Sequence, residues 1–178
     1  MATNKWVVDP THSEIQFKIR HLMITNVTGS FDRFDISVET DNEDFMNAKI
    51  SFTADVDSIS TGNDQRDAHL KGADFFDAEK NPKITFAATK YENVDNDGSY
   101  ELNGDLTIKG ITKNVKLDVE FGGVVKDPYG NTKAGFSING KIRRKDFGLT
   151  WDVVTETGGI ALSDEVRIMC EVQLIEQQ

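Results

Sequence analysis

"GDLTIKGITKNVKLDVEF", residues 104–121, alternates apolar and polar side chains almost without a fault. Leu106 and Ile108 share one side, Thr107 and Lys109 the other. Beyond Gly110, Val115, Leu117, Val119 and Phe121 are set against Lys116, Asp118 and Glu120. A period of two marks strands with one buried face, and the break at Gly110 marks a short connection between two of them. The charged faces belong in water. The apolar faces meet either a packed core or a guest, and the rest of the chain bears on which.

The same alternation recurs in both directions. Upstream, one parity collects Ile15, Phe17, Ile19 and His21, then Phe34, Ile36 and Val38, then Ile50, Phe52, Ala54 and Val56. Ile84, Phe86 and Ala88 follow, and Tyr100 and Leu102 lead into Leu106 and Ile108. Downstream come Ala134, Phe136, Ile138 and Ile142, and finally Val166, Ile168, Cys170, Val172 and Leu174. These make eight main strands, with a short ninth at Trp6–Val8, and about eight is the number that closes into a small antiparallel barrel. "DNDGS" (95–99) and "DPYGN" (127–131) have the composition of hairpin loops.

One segment breaks the rhythm. Within "GNDQRDAHLKGADFFDAEKNP" (62–82), residues 63–71 read as a short helix, with Asn63 as N-cap, Asp64 in the positive first turn and Gly72 as a left-handed C-terminal glycine. Pro82 releases the chain into the next strand. Leu70, Phe75 and Phe76 are suited to covering one barrel end. The fold class is therefore all-β, an eight-stranded antiparallel barrel with a short helix over one end. No linker, repeat or low-complexity stretch divides the chain, so residues 1–178 read as one domain, long enough to bury roughly 70% of its unfolded surface.

The totals exclude several functions. Twenty basic residues against thirty acidic ones give a net charge of −10, which argues against nucleic acid and disfavours docking on anionic lipid. A single cysteine rules out an intrachain disulfide and the cysteine-rich zinc patterns. No apolar run approaches the ~20 residues that span a bilayer. "MATNKWVVDP" has no apolar signal core. That points to the cytoplasm, or to the periplasm if a signal sequence has been removed.

Five blocks, in this order, carry a family resemblance: "WVVDPTHSEIQFKIRH" (6–21), "VTGSF" (27–31), "SISTGNDQRDAHLKGADFFDAEKNPKITF" (58–86), "LNGDLTIKGITKNVKL" (102–117) and "RKDFG" (144–148). The chain resembles the YceI-like family of lipocalin-like, polyisoprenoid-binding proteins, nearly end to end. The resemblance implies an eight-stranded barrel whose apolar interior holds an extended isoprenoid chain. It also includes exported members with a signal sequence, from which this chain departs.

Other constellations are weaker. Three histidines, His12, His21 and His69, suffice in number for zinc, but His12 and His21 are nine residues apart along a strand and face opposite sides. His12 in "DPTHS" reads as a turn brace; His21 ends an inward stripe near a barrel end. Arg66, His69 and Lys71 form either a rim for a polar headgroup or ion pairs with Asp64 and Asp67. In "RRK" (143–145), Arg143 has outward parity and Arg144 inward parity, making Arg144 the better headgroup contact. "DFG" (146–148) has no phosphate loop beside it, "GFSING" (135–140) lacks nucleophile-elbow spacing, and "DNDGSYELNGDL" (95–106) misplaces the glycine and glutamate of a calcium loop. Cys170 reads as a small core hydrophobe.

No catalytic set, metal site or cofactor follows. The expected function is to bind, sequester or carry a long isoprenoid lipid or isoprenoid quinone inside the lumen. The candidate ligand-binding set is Ile15, Phe17, Ile19, His21, Phe34, Ile36, Phe52, Ala54, Val56, Leu70, Phe75, Phe76, Phe86, Leu106, Ile108, Val119, Phe121, Phe136, Ile138, Ile142, Arg144, Ile168 and Cys170. A fatty-acid or lipid-amide barrel, a filled-core adaptor and an enzyme acting on a bound lipid remain as alternatives.

Overall fold

The opening stretch folds as a hairpin. Ile108 pairs with Ile111 across a two-residue turn, and both turn residues, Lys109 (φ 54°) and Gly110 (φ 74°), are left-handed. This is the turn whose twist matches that of the flanking strands. The computed structural model describes residues 3–22, 24–41, 44–93, 98–151 and 162–177. In chain order the elements are β1 (Thr3–Val8), β2 (Glu14–His21), β3 (Thr25–Phe31), β4 (Phe34–Asp41), β5 (Asp44–Asp55) and β6 (Ile59–Ser60). Then come α1 (Asp64–Lys71), β7 (Lys83–Asn93), β8 (Ser99–Ile108), β9 (Ile111–Lys126), β10 (Thr132–Arg143) and β11 (Leu162–Gln177).

The ring runs β1-β4-β5-β7-β8-β9-β10-β11 and closes by pairing β11 with β1, giving the expected eight-stranded antiparallel barrel. β2 continues the wall of β1 along β11, and β3 continues that of β4. The sequence reading contains no strand at Thr25–Phe31. Only Val27 and Phe31 there carry large apolar side chains on the inward parity, with Gly29 between them, so the alternation is invisible locally. The hairpin at "DNDGS" lies mostly outside the described residues; β7 and β8 pair out to Asn93 and Tyr100. At "DPYGN", the Asp127 carboxylate accepts the Tyr129 and Asn131 backbone N–H groups, and Gly130 takes φ 86°.

The kink between β1 and β2 is built on a buried carboxylate. Asp9 caps the turn that starts at Pro10, accepting from the Thr11 backbone N–H (3.1 Å) and hydroxyl (2.7 Å), and from Lys133 on β10 (2.9 Å). His12 Nδ1 lies 2.8 Å from the same carboxylate, so His12 braces this turn. Burial alone would raise the Asp9 pKa, but the hydrogen bonds from Thr11, His12 and Lys133 outweigh it and hold the carboxyl well below its usual range. A depressed folded-state pKa stabilises above the unfolded value of about 3.9 and is lost as pH falls below it. Asp9→Asn is therefore expected to destabilise by about 2 kcal/mol at neutral pH. The gap between variant and wild type should narrow in urea titrations repeated below about pH 4.

One end of the barrel is plugged. Trp6, fully buried, donates Nε1–H to Thr40 and packs against Phe45. Phe45 meets Phe121 and Phe136, which stack on each other at 5.2 Å, and Tyr100 joins them beside Tyr91. Burial pushes the Tyr91 phenol up.

At the other end α1 lies between β6 and β7. Asn63 caps it through the Arg66 backbone N–H, as its sequence suggested. Gly72 does not take the left-handed conformation expected of it; its φ of −80° is extended backbone, and the chain reverses instead at Asp77 (φ 49°). The reversal is set by bonds of the loop that follows, with Asp77 N–H reaching Gly72 O and Ala78 N–H reaching Lys71 O. No helix among the described residues is long and apolar enough to cross a membrane.

Candidate functional site

Three large inward side chains lie flat on the barrel wall because a neighbouring strand offers each of them a glycine. Phe17 on β2 lies over Gly29 on β3, its register partner, and Leu117 on β9 lies over Gly140 on β10. Phe86 on β7 leans over Gly104 on β8. A methyl group at any of these glycines would overlap the side chain resting there. These side chains spread sideways, and the barrel axis is left empty over a cavity of about 310 Å³.

Exposure along the strands has the signature of that void. Phe17, Ile19, Phe52, Ile138, Ile142 and Ile168 point inward, yet each is only half-buried, because its free side faces the cavity. A filled core would bury them completely.

Eighteen of the residues singled out from the sequence line this cavity. Ile15, Phe17, Ile19 and His21 come from β2, with Ile36 from β4 and Phe52 and Ala54 from β5. Phe86, Leu106 and Ile108 supply the β7–β8 wall, and Ile138, Ile142, Arg144, Ile168 and Cys170 the β10–β11 side. Leu70, Phe75 and Phe76 close the end beneath α1.

Five lie elsewhere. Phe121 belongs to the aromatic plug, whereas Val119 and Phe136 border a separate void of about 60 Å³ beside it. Val56 is buried in the turn after β5, and Phe34 packs on the core away from the cavity. Parity identifies an inward face but not a height along the axis, which is why these were grouped with the others. Phe31, Val27, Leu149 and Leu162 line the cavity without having been singled out. Phe31 ends "VTGSF", a stretch with too few large apolar residues to read as a strand.

The lid is held by aromatic contacts and one buried arginine. Phe76 meets Phe31 edge-on (6.2 Å), and Phe31 meets Phe17 (5.7 Å), which ties the lid to the wall. Trp151 packs against His69 (4.7 Å) and Phe75 (5.1 Å), and His69 Nε2 bonds Asp74 (2.9 Å). Arg144 opens the "RKDFG" turn, in which Phe147 is buried and Gly148 is left-handed (φ 75°). The guanidinium donates to the carbonyls of Leu149, Trp151, Leu162 and Ser163. The side chain has the inward parity expected, but its charge is directed at the backbone flanking the mouth rather than at a headgroup position.

Polarity is confined to the rim. Arg66 on α1 donates to the Thr61 hydroxyl and carbonyl (2.7 Å each), and Thr61 in turn donates to Asp67. Arg66 and His21 are both exposed and both border the cavity, which therefore reaches solvent beside α1. Among the described residues no buried side-chain nitrogen or oxygen lacks a hydrogen-bond partner. Burial pushes the Cys170 thiol up to about 12, although the Gln16 backbone opposes it, so the thiolate that would act as nucleophile is scarce at neutral pH. His12, His21 and His69 stand on the β1–β2 kink, the end of β2 and α1 respectively. No group of three or more metal-binding side chains gathers among the described residues.

A sequence model of the YceI-like domain matches residues 6–174. The chain belongs to the YceI-like family. Its relatives include a UPF0312 protein of Staphylococcus aureus (strain bovine RF122 / ET3-1), 44% identical over 161 residues, which is 89% of this chain and 90% of that one. The YceI protein of Campylobacter jejuni has a solved structure that is 38% identical and superposes with a TM-score of 0.75, covering 90% of this chain and 91% of its own. At 14% identity, a polyisoprenoid-binding domain from Saccharophagus degradans shares the fold, with a TM-score of 0.66 over 97% of this chain and 98% of that one. The YceI-like barrel is thus the frame on which the cavity of this chain is built.

Proposed function

We propose that this YceI-like barrel binds and carries a long isoprenoid lipid or isoprenoid quinone, tail inward along the barrel axis and head at the α1 mouth. The observation that carries the reading is the half-burial of inward side chains around a void of about 310 Å³. Water in such a space lacks polar partners, so an apolar guest is favoured. Each CH₂ moved from water contributes about 0.8 kcal/mol, enough for a chain of several isoprene units to bind tightly without ionic contacts. The plug of Phe45, Phe121 and Phe136 would stop the tail. Arg66 and His21 would meet the head. The binding of a polyisoprenoid by the Saccharophagus domain agrees with this reading.

Organic extraction of the purified protein followed by mass spectrometry tests it directly. A stoichiometric prenyl lipid or quinone is expected, or uptake of one added from dispersion. A folded protein that extracts empty and takes up neither isoprenoid nor fatty acid overturns the reading and leaves an adaptor acting through its outer face. If fatty acid alone is recovered and taken up, the apolar-cargo class stands and the isoprenoid assignment fails.

Gly29→Ala offers a sharper test of the cavity itself. The added methyl displaces the far end of the Phe17 ring, which has empty lumen to swing into. Stability should change by no more than about 1 kcal/mol. Uptake should fall by roughly tenfold, because the ring occupies space the tail needs. Thermal melting and ligand titration of the same sample separate the two effects.

A further inference from the structure

The chain carries a net charge of −10, yet on one stretch of its described outer wall cations gather. Strand register places Lys141 on β10 opposite Arg167 on β11, and Arg167 opposite Lys18 on β2. Three cations thus stand abreast on the outer wall, an arrangement that destabilises a sheet when no counter-charge is supplied. One rung nearer the mouth, Arg143 lies opposite Glu165, and the Arg20 backbone bonds Ser163. The acids here are Glu165, 3.9 Å from Lys141, and Asp164, 4.0 Å from Arg143. Lys18, Arg20 and Arg167 make no ion pair among the described residues. Farther from the mouth the same wall is acidic, with Glu14 opposite Glu171.

The β2–β3 hairpin ends beside this row, at the cavity mouth. Its tip presents Leu22, 42% exposed, and Ile24, 74% exposed. Leu22 is held in the left-handed region (φ 53°), which Gly or Asn would occupy at lower cost. Single exposed apolar residues are ordinary. Two at one tip, one of them strained, next to His21 in the cavity lining, are not accounted for by the fold.

We propose that this edge docks the barrel on a bilayer containing anionic phospholipid, with Leu22 and Ile24 entering the headgroup layer and the Lys141–Arg167–Lys18 row facing the phosphates. The inference rests on the apolar-cargo reading, since it brings the mouth of the cavity against the phase in which such a cargo dissolves. The overall acidity does not oppose it. Charges farther than the Debye length of about 8 Å are largely screened, so the acidic remainder selects the one orientation that presents the row. The proposal departs from the expectation, drawn from net charge alone, that anionic lipid is disfavoured.

Flotation with vesicles of phosphatidylcholine plus phosphatidylglycerol, compared with phosphatidylcholine alone, tests the proposal. The wild-type chain should float with the anionic vesicles, less with the neutral ones, and less at high salt. Each cation near the surface contributes roughly a fivefold gain in affinity, so Lys18→Glu with Arg167→Glu should lower flotation at least about twentyfold. Leu22→Gly should lower it several-fold while leaving the melting temperature unchanged or raised, because the left-handed position suits glycine. A folding defect would move both readouts down together. Isoprenoid uptake from dispersion, measured without vesicles, should be unchanged in these variants, so loss of docking and loss of cargo binding are told apart. No flotation, equal flotation with both vesicle types, or flotation indifferent to these variants overturns the proposal. Self-association abolished by Leu22→Gly, without vesicle binding, would assign the tip to a second copy of the chain and overturn it as well.

Discussion

Ile138→Glu is expected to abolish isoprenoid uptake while Ile138→Leu preserves it. Ile138 stands on β10 between Val119 and Cys170, where the main cavity meets the smaller void beside the plug. No polar side chain of the lining other than Cys170 lies beside it in register, so an introduced carboxyl would find no strong partner. Burying a carboxyl group without a hydrogen bond costs roughly 2–7 kcal/mol, which corresponds to a loss of thirtyfold or more in affinity. The empty cavity lets water reach the new group, so the apo fold should survive better than the complex. Desolvation raises a carboxyl pKa, and the neutral form is the less costly one to bury. Uptake should therefore recover in part as the pH is lowered from about 8 towards about 5. Ligand titration across that range, on samples with wild-type far-ultraviolet spectra, is the measurement. Undiminished uptake by Ile138→Glu would place the guest outside the barrel.

Arg144→Leu should be the most destabilising single change at the mouth. The buried guanidinium satisfies the carbonyls of Leu149, Trp151, Leu162 and Ser163 together, and leucine can satisfy none. Each buried carbonyl left without its donor costs about 1–3 kcal/mol, so the total should reach at least about 3 kcal/mol, equivalent to a fall of about 10 °C in melting temperature for a chain of this size. Trp151 reports the local consequence. Its carbonyl is held by Arg144 and its ring by His69 and Phe75, so its emission should shift to the red while Trp6, sealed in the plug, does not change. Arg144→Lys should recover only part of the loss, because an ammonium lacks the planar fork that reaches several carbonyls at once. A loss below about 1 kcal/mol would show that the mouth holds itself without this residue.

Both predictions depend on features that differ in how far the sequence discloses them. The barrel was legible because its cause is local. Val115, Leu117, Val119 and Phe121 on one face and Lys116, Asp118 and Glu120 on the other need no partner strand to be recognised. The N-cap at Asn63 was legible for the same reason, since a cap acts within three residues. Gly72 was misread because the chain's course past α1 is set by bonds within the following loop, with Asp77 taking the left-handed position.

Parity also placed Ile138 and Phe52 inward, yet it assigned Phe121 and Phe136 to the same site. Height along the axis depends on strand tilt and stagger, which no single strand contains. Arg144 has inward parity in the sequence, whereas its four carbonyl partners lie five to nineteen residues away on the far side of a turn.

The amino-acid sequence by itself determined the long alternating strands, their buried faces and the lid helix, and its single cysteine excluded an intrachain disulfide; β3 and β6 it did not disclose. Each feature it determined follows from residue type and short-range spacing. Only the tertiary structure decided whether the lumen is hollow. That depends on Phe17, Phe86 and Leu117 lying back over Gly29, Gly104 and Gly140, contacts made between strands whose relative register the sequence does not state. It likewise brought Lys18, Lys141 and Arg167, distant in sequence, into one row beside the Leu22–Ile24 tip. Charge totals are sums over the chain, but electrostatic interactions fall off within a Debye length, so it is the fold that sets which sign a partner meets.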